Sequence, residues 1–273
     1  MKDNNKVKGS TLPPPLGGRA AFLLHLADTN LVLAQRNAEW CGHGPILEQD
    51  IAITNISLDQ LGQARNFYQY AAALINELPE QLVKNVTEDS LAYLRTEREF
   101  KNLLITELPK GDWAQTILRQ FFISVYLHLL YGQLQENTDG QLAAIAEKSI
   151  KEVTYHLRWS SEWVIRLGDG TAESNQRMLT AFENLWAYTG EFFIPATYEN
   201  EDIVGFDLAS LKQPWLKKVN KIFKEATLDF PSDSKEKVTF MHTGGKQGVH
   251  TEHMGFILSE MQYLQRTYPG AEW

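Results

Sequence analysis

Four stretches of this sequence interrupt an apolar helical stripe with polar side chains, and those interruptions are where chemistry could be done. Ile53, Ile56, Gln60, Gln63 and Phe67 follow steps of 3, 4, 3 and 4, which puts two glutamines into one helical seam. Ile117, Phe121, Ser124, His128 and Tyr131 repeat the pattern and turn Ser124 inward. Ile145, Ser149, Glu152, His156, Trp159 and Trp163 make a third stripe with Val153 at its edge, and Phe22, Leu26, Asn30 and Leu33 make a fourth. A buried polar group left alone costs about 1–3 kcal/mol, so each must find a neighbour, a trapped water or a ligand.

Polar groups near the middle of four long helices are how carboxylate-bridged di-iron bundles place their ligands. Those bundles use one Glu from each of two helices and a Glu-x-x-His pair from each of the other two. This sequence has the spacing without the ligands. Asn30 to Gln60 is 30 residues and Ser124 to Val153 is 29, so the two halves match each other. The six corresponding positions are Asn30, Gln60, Gln63, Ser124, Val153 and His156. Only His156 is a strong ligand; serine and amides bind iron weakly, and valine has no donor. The expectation is that these residues satisfy one another or hold water, and that this chain binds no metal. Glu152 and His156, four apart, are expected to join in a charge-assisted hydrogen bond rather than share an ion.

Other candidates carry weaker signals. His242, His250, Glu252 and His253 suggest a zinc site, but a helix capped by Thr251 explains them as well. Thr243-Gly244-Gly245-Lys246 is not a phosphate-binding P-loop, because Phe240 stands where the first glycine belongs. Gly244, Gly245 and Lys246 are read instead as a turn serving the fold or a partner. The aromatics Trp159, Trp163, Phe182, Trp186, Tyr188, Phe192 and Phe193 read as core. Cys41 beside His43 does not make a nucleophilic pair by adjacency alone, and no Gly-x-Ser-x-Gly is present.

The elements that must position these residues are helical. Helices are expected at about 19–39, from the Cys41–Pro45 break to about Glu77, at 90–106, from the Asp112 cap to about Gln135, and from Thr138-Asp139-Gly140 to Leu167. Further helices are expected near 172–193, 208–226 and 250–267. This is an all-α chain, a four-helix bundle with additional packing helices. Residues 1–18, with Lys2, Lys6, Lys8 and three consecutive prolines, read as a disordered N-terminal tail, and 19–273 as a single domain.

Composition narrows the function classes. The 273 residues carry 26 Lys+Arg against 34 Asp+Glu, a net charge of −8, with no basic run. That argues against nucleic acid and anionic membranes as partners. One cysteine excludes an internal disulfide or a thiolate metal cage, and the cytoplasm is the expected compartment.

From Leu24 to Trp273 the sequence resembles a known family. The carrying segments are Leu31-Val32-Leu33-Ala34-Gln35-Arg36, Glu39-Trp40-Cys41-Gly42-His43, Leu58-Asp59, Leu61-Gly62-Gln63-Ala64-Arg65-Asn66-Phe67 and Ile150-Lys151-Glu152. To these add Tyr155-His156-Leu157-Arg158, Thr243-Gly244-Gly245-Lys246, His250-Thr251-Glu252-His253 and Glu260-Met261-Gln262-Tyr263-Leu264-Gln265-Arg266. They are similar to the PaaC family, the structural, non-catalytic subunits of multicomponent phenylacetyl-CoA 1,2-epoxidases. The resemblance implies a ferritin-like fold and a scaffolding role in aerobic phenylacetate breakdown. It also implies a paralogous catalytic partner that carries the di-iron centre, and a separate reductase that delivers electrons from NADPH. Self-association within the complex is expected too. In the paralogue a Glu-Ala-Gly-His would fall on Gln60 to Gln63 and a Glu-x-x-His on Val153 to His156. The rival readings are an active di-metal oxygenase or oxidase with an unusual ligand set, and a metal storage protein. The tail has no counterpart in the family pattern.

Overall fold

The computed structural model describes residues 17–78, 86–228, 240–269 and 271. Nearly every residue from Ala20 to Ala34 is buried in the first helix, α1 (Gly18–Ala38), as an apolar sequence with no polar face requires. A tight turn, with Gly42 at φ +78°, reverses the chain into α2 (Leu47–Asn76). There Asp50 Oδ2 accepts from Gly44 N at 2.9 Å and ties the turn to the new helix. The other long elements are α4 (Trp113–Leu134) and α5 (Gly140–Gly168). Each starts where its aspartate caps it: Asp112 accepts from Gln115 N, and Asp139 from Gln141 N and Leu142 N.

Hydrogen bonds between helices fix the topology. Asn30 meets Tyr131, Asn37 meets Gln120 and Trp40 meets Thr116, so α1 runs antiparallel to α4. Asp59 meets His156 and Gln63 meets Glu152, so α2 runs antiparallel to α5. The turn-linked pairs α1/α2 and α4/α5 are antiparallel as well. Thus α2 and α4 point the same way, which only a long crossover over 77–112 can connect; this is the ferritin-like bundle.

Shorter elements cover the bundle. The crossover holds α3 (Glu88–Tyr93) and two 3-10 turns, and α6 (Ala172–Leu185) and α8 (Lys212–Glu225) pack on α4 and α5. Trp215 of α8 is buried against Phe122, 5.5 Å between ring centres, and donates its indole N–H to the Phe122 carbonyl at 3.0 Å. The chain passes through α7 (Glu201–Val204) before α8, and ends in α9 (Met254–Met261) and α10 (Tyr263–Thr267). No strand occurs among the described residues. No helix there is long and apolar enough to cross a membrane.

Four expected helices differ in the structure. The 90–106 helix stops at Tyr93, because Arg95 turns into the core and the Thr96 N–H and hydroxyl bond the Glu99 carboxylate to begin a 3-10 turn. The 172–193 helix tightens to 3-10 from Trp186 to Phe193, and the first turn of the 208–226 helix is 3-10. The 250–267 helix begins at Met254 and breaks at Gln262, whose side-chain amide donates to the Arg95 carbonyl at 2.9 Å. The first helix already starts at Gly18; the rest of the tail expected over 1–18, up to residue 16, lies outside the described residues.

Candidate functional site

The six positions are all buried, and the structure sorts them into three separate groups. At the first, Asn37 of α1 donates to Gln60 Oε1 at 3.0 Å and to Gln120 Oε1 at 2.7 Å. Gln60 Nε2 donates to the same Gln120 oxygen at 3.1 Å, and Gln120 Nε2 donates to Ser124 Oγ at 2.9 Å. Three helices are thereby stitched by neutral amides, with no charge for a cation to meet. In the second group Asn30 Nδ2 donates to the Leu26 carbonyl and to Tyr131 Oη, both at 2.9 Å. Burial pushes the Tyr131 phenol well above its usual range. Asn30 therefore makes no bond to Gln60, Gln63 or Ser124.

The third group joins α2 to α5 by two parallel rungs. Gln63 Nε2 donates to Glu152 Oε2 at 2.8 Å, and His156 Nε2 lies 2.9 Å from Asp59 Oδ2. A carboxylate can only accept, so the His156 ring carries its proton on Nε2. The expected Glu152–His156 bond is not made: Glu152 and His156 each reach across to a polar partner on α2 instead. Val153 lies fully buried beside this pair and offers nothing but methyl groups.

These residues do not fit a di-iron centre. Of the six, one has no donor atom, Gln60 Oε1 and Ser124 Oγ are engaged within the protein, Asn30 and Gln63 present only neutral amide oxygens where a di-iron centre needs carboxylates, and the imidazole nitrogen Nε2 is taken by Asp59. Among the described residues no group of three or more His, Cys, Asp or Glu is placed to hold a metal ion.

The histidine and glycine motifs of the C-terminal region assemble elsewhere, as a strap clamped onto buried acids. Gly244 N and Gly245 N donate to Glu191 Oε1 at 2.9 and 2.8 Å, while Leu104 N donates to Oε2 at 2.8 Å. Burial raises the Glu191 carboxyl above its ordinary value despite those three donors. Gly244 sits at φ +131°, where only glycine is comfortable. Gly245 has no room for a side chain, because a Cβ would stand 2.2 Å from the Asn102 carbonyl oxygen. Lys246 is buried and pairs with Glu199 at 2.9 Å, and its carbonyl accepts from the Tyr198 hydroxyl. His25, next to Glu199 at 3.5 Å, is held below its ordinary pKa by burial.

His250 Nδ1 lies 2.6 Å from Glu107 Oε1 and its Nε2 lies 3.0 Å from the Phe100 carbonyl. Burial opposes charge on this ring, but the Glu107 carboxylate outweighs it and the pKa is raised. Thr251 is not a helix cap of the expected kind: its N–H and hydroxyl both donate to Glu107 Oε2 at 2.7 Å, three residues ahead of the first residue of α9. Glu252 is exposed, His253 is half-buried and precedes α9, and His242 stacks on Tyr188 at 4.3 Å. The four residues that suggested zinc are thus dispersed.

A family model for phenylacetic acid catabolic proteins matches residues 17–273. The chain belongs to that family. It is also similar to a protein of Escherichia coli (strain K12) named as one of the subunits of 1,2-phenylacetyl-CoA epoxidase, with 47% identity over 256 residues that cover 93% of this chain and 98% of that protein. The ferritin-like bundle is the family's fold.

Within this family member, sequence reasoning missed Asn37, Gln120 and Asp59, each of which bonds directly to one of the six positions, and it placed Tyr131 on the Ser124 stripe without foreseeing its bond to Asn30. It also missed Asp28, fully buried on α1. Arg95 forms a two-pronged ion pair with Asp28, and Tyr68 Oη donates to the same carboxylate at 2.5 Å. The available signal was α1 itself: a helix with no polar face must bury every polar residue it contains.

Proposed function

We propose that this chain is a structural, non-catalytic subunit of a phenylacetyl-CoA epoxidase acting in aerobic phenylacetate catabolism in the cytoplasm. Its role is to hold a paralogous subunit that carries the di-iron centre, with NADPH electrons arriving through a separate reductase. The observation that carries this reading is the filled bundle centre, where Asn37, Gln60, Gln120 and Ser124 spend their hydrogen bonds on one another. Asn30, Gln60, Gln63, Ser124, Val153 and His156 are then the emptied positions of a metal site, and Glu152 with the strap residues Gly244, Gly245, Lys246 and His250 maintains the scaffold. The name of the E. coli relative supports the assignment to this enzyme.

Elemental mass spectrometry tests it, on the purified chain alone and after co-purification with the iron-bearing subunit. Iron should be absent from the isolated chain and appear at about two per heterodimer, since a di-iron site needs a complete ligand set. Stoichiometric iron in the isolated chain would make it a di-metal oxygenase instead. Failure of the two subunits to co-purify would end the scaffold reading.

A further inference from the structure

Arg119 of α4 is a charged side chain that the fold encloses completely, at 0% exposure, without giving it a counter-ion. Nη1 donates to the Leu108 and Pro109 carbonyls at 2.7 and 3.1 Å, which pins one edge of the guanidinium to the end of the crossover. Nε and Nη2, the parallel donors of the opposite edge, are buried too and meet no acceptor among the described residues. That edge is the fork with which arginine takes a carboxylate or another small anion. The nearby acids are spent elsewhere. Glu39 bonds Arg36 at 2.6 Å, and Glu107 holds Asn102, His250 and Thr251. Arg36 adds a second positive charge within electrostatic reach, and Lys110 Nζ donates to the Glu39 carbonyl at 3.2 Å. Burial, and after it Arg36, pulls the Arg119 pKa down to about 10, which still leaves the group charged at neutral pH.

We propose that the Nε/Nη2 edge of Arg119 is a binding site for a small monovalent anion of the size of chloride. A buried charge is costly unless it is paired as well as hydrogen-bonded. A water molecule would satisfy the N–H groups and leave the charge uncompensated, whereas a small anion does both. Bulky anions are excluded, because the guanidinium is sealed from solvent on every side. Arg36 and Glu39, whose side chains are 13 and 26% exposed, connect the cluster to solvent. The site belongs to this chain alone and stands or falls independently of the catalytic partner proposed above.

Thermal unfolding of the full chain tests it, with chloride replacing the bulky gluconate anion at constant ionic strength. A ligand that binds only the folded state raises the unfolding midpoint with its concentration, so chloride should raise it by a few degrees and then level off. The rise should vanish in Arg119→Met and persist in Arg177→Met, which removes an exposed guanidinium instead. Crystals of the wild-type chain grown in bromide give a readout that no variant's folding can disturb: an anomalous peak within hydrogen-bond distance of Arg119 Nε and Nη2. The absence of that peak overturns the proposal. So does an unfolding midpoint indifferent to chloride, which would make any such peak an adventitious ion only, or a chloride response that survives in Arg119→Met.

Discussion

Asn37 shows how the bundle centre is held at the scale of single residues. Its amide feeds both Gln60 and Gln120, so removing it strands the buried Gln60 oxygen and leaves the Gln120 oxygen with Gln60 Nε2 as its one donor. Asn37→Ala should cost about 1–3 kcal/mol in urea unfolding, the usual penalty for orphaned buried polar groups. Gln120→Leu should cost a comparable amount, because it strands Asn37, Gln60 and Ser124. Asn37 was legible in the sequence, since the steps from Asn30 to Leu33 to Asn37 continue the stripe. Gln120 was not: α4 is buried on nearly every side from Ala114 to Leu127, and periodicity cannot select a face where there is none. The Asp28–Arg95 pair poses a sharper test. Both side chains are fully buried, so Arg95→Met should destabilise by about 3–5 kcal/mol by leaving a carboxylate uncompensated. The double variant Asp28→Asn with Arg95→Met should recover much of that loss; a double variant no more stable than the single one would show that the salt bridge itself, and not the orphaned charge, carries the stability.

At the scale of elements, the strap over residues 240–254 and the crossover over 86–112 are joined by charge. Glu107 from the crossover holds His250 and Thr251, and Glu191 holds Gly244, Gly245 and the crossover's Leu104. The long helices were legible because aspartate caps and glycine breaks act locally. The crossover was not, because Arg95 ends α3 through its long-range partner Asp28, which no local pattern reveals. The His250–Glu107 contact has a defined pH dependence. The folded pKa of His250 lies above the ordinary 6.5, so its contribution is fully present below about 6.5 and fades as pH rises through the raised value. The difference in unfolding midpoint between the wild-type chain and His250→Gln should therefore be larger at about pH 5.5 than at about pH 8.5. His25 has the opposite sign, its pKa being held down by burial, so its contribution is present above about 6.5 and lost on acidification. Comparing each variant with wild type at each pH separates the two.

At the scale of the whole molecule, one bundle topology can hold either a metal centre or a network of amides, and the two solutions exclude each other. A di-iron site needs converging carboxylates whose charge the cations neutralise, whereas this bundle is closed by neutral side chains and by Val153, fully buried on α5. Val153→Glu puts the two in direct competition. A carboxylate introduced there has no cation within the amide network to meet it, so the protein should unfold several degrees lower and take up no iron when expressed with excess metal. Because burial disfavours the ionised form of such a carboxyl, the deficit should shrink on acidification toward pH 5, as the new group binds a proton and the folded state no longer shelters a charge. Iron uptake by this single variant, read by elemental mass spectrometry, would mean that the Asn37–Gln60–Gln120–Ser124 network yields readily to a metal. The scaffold reading would then rest on partner binding alone.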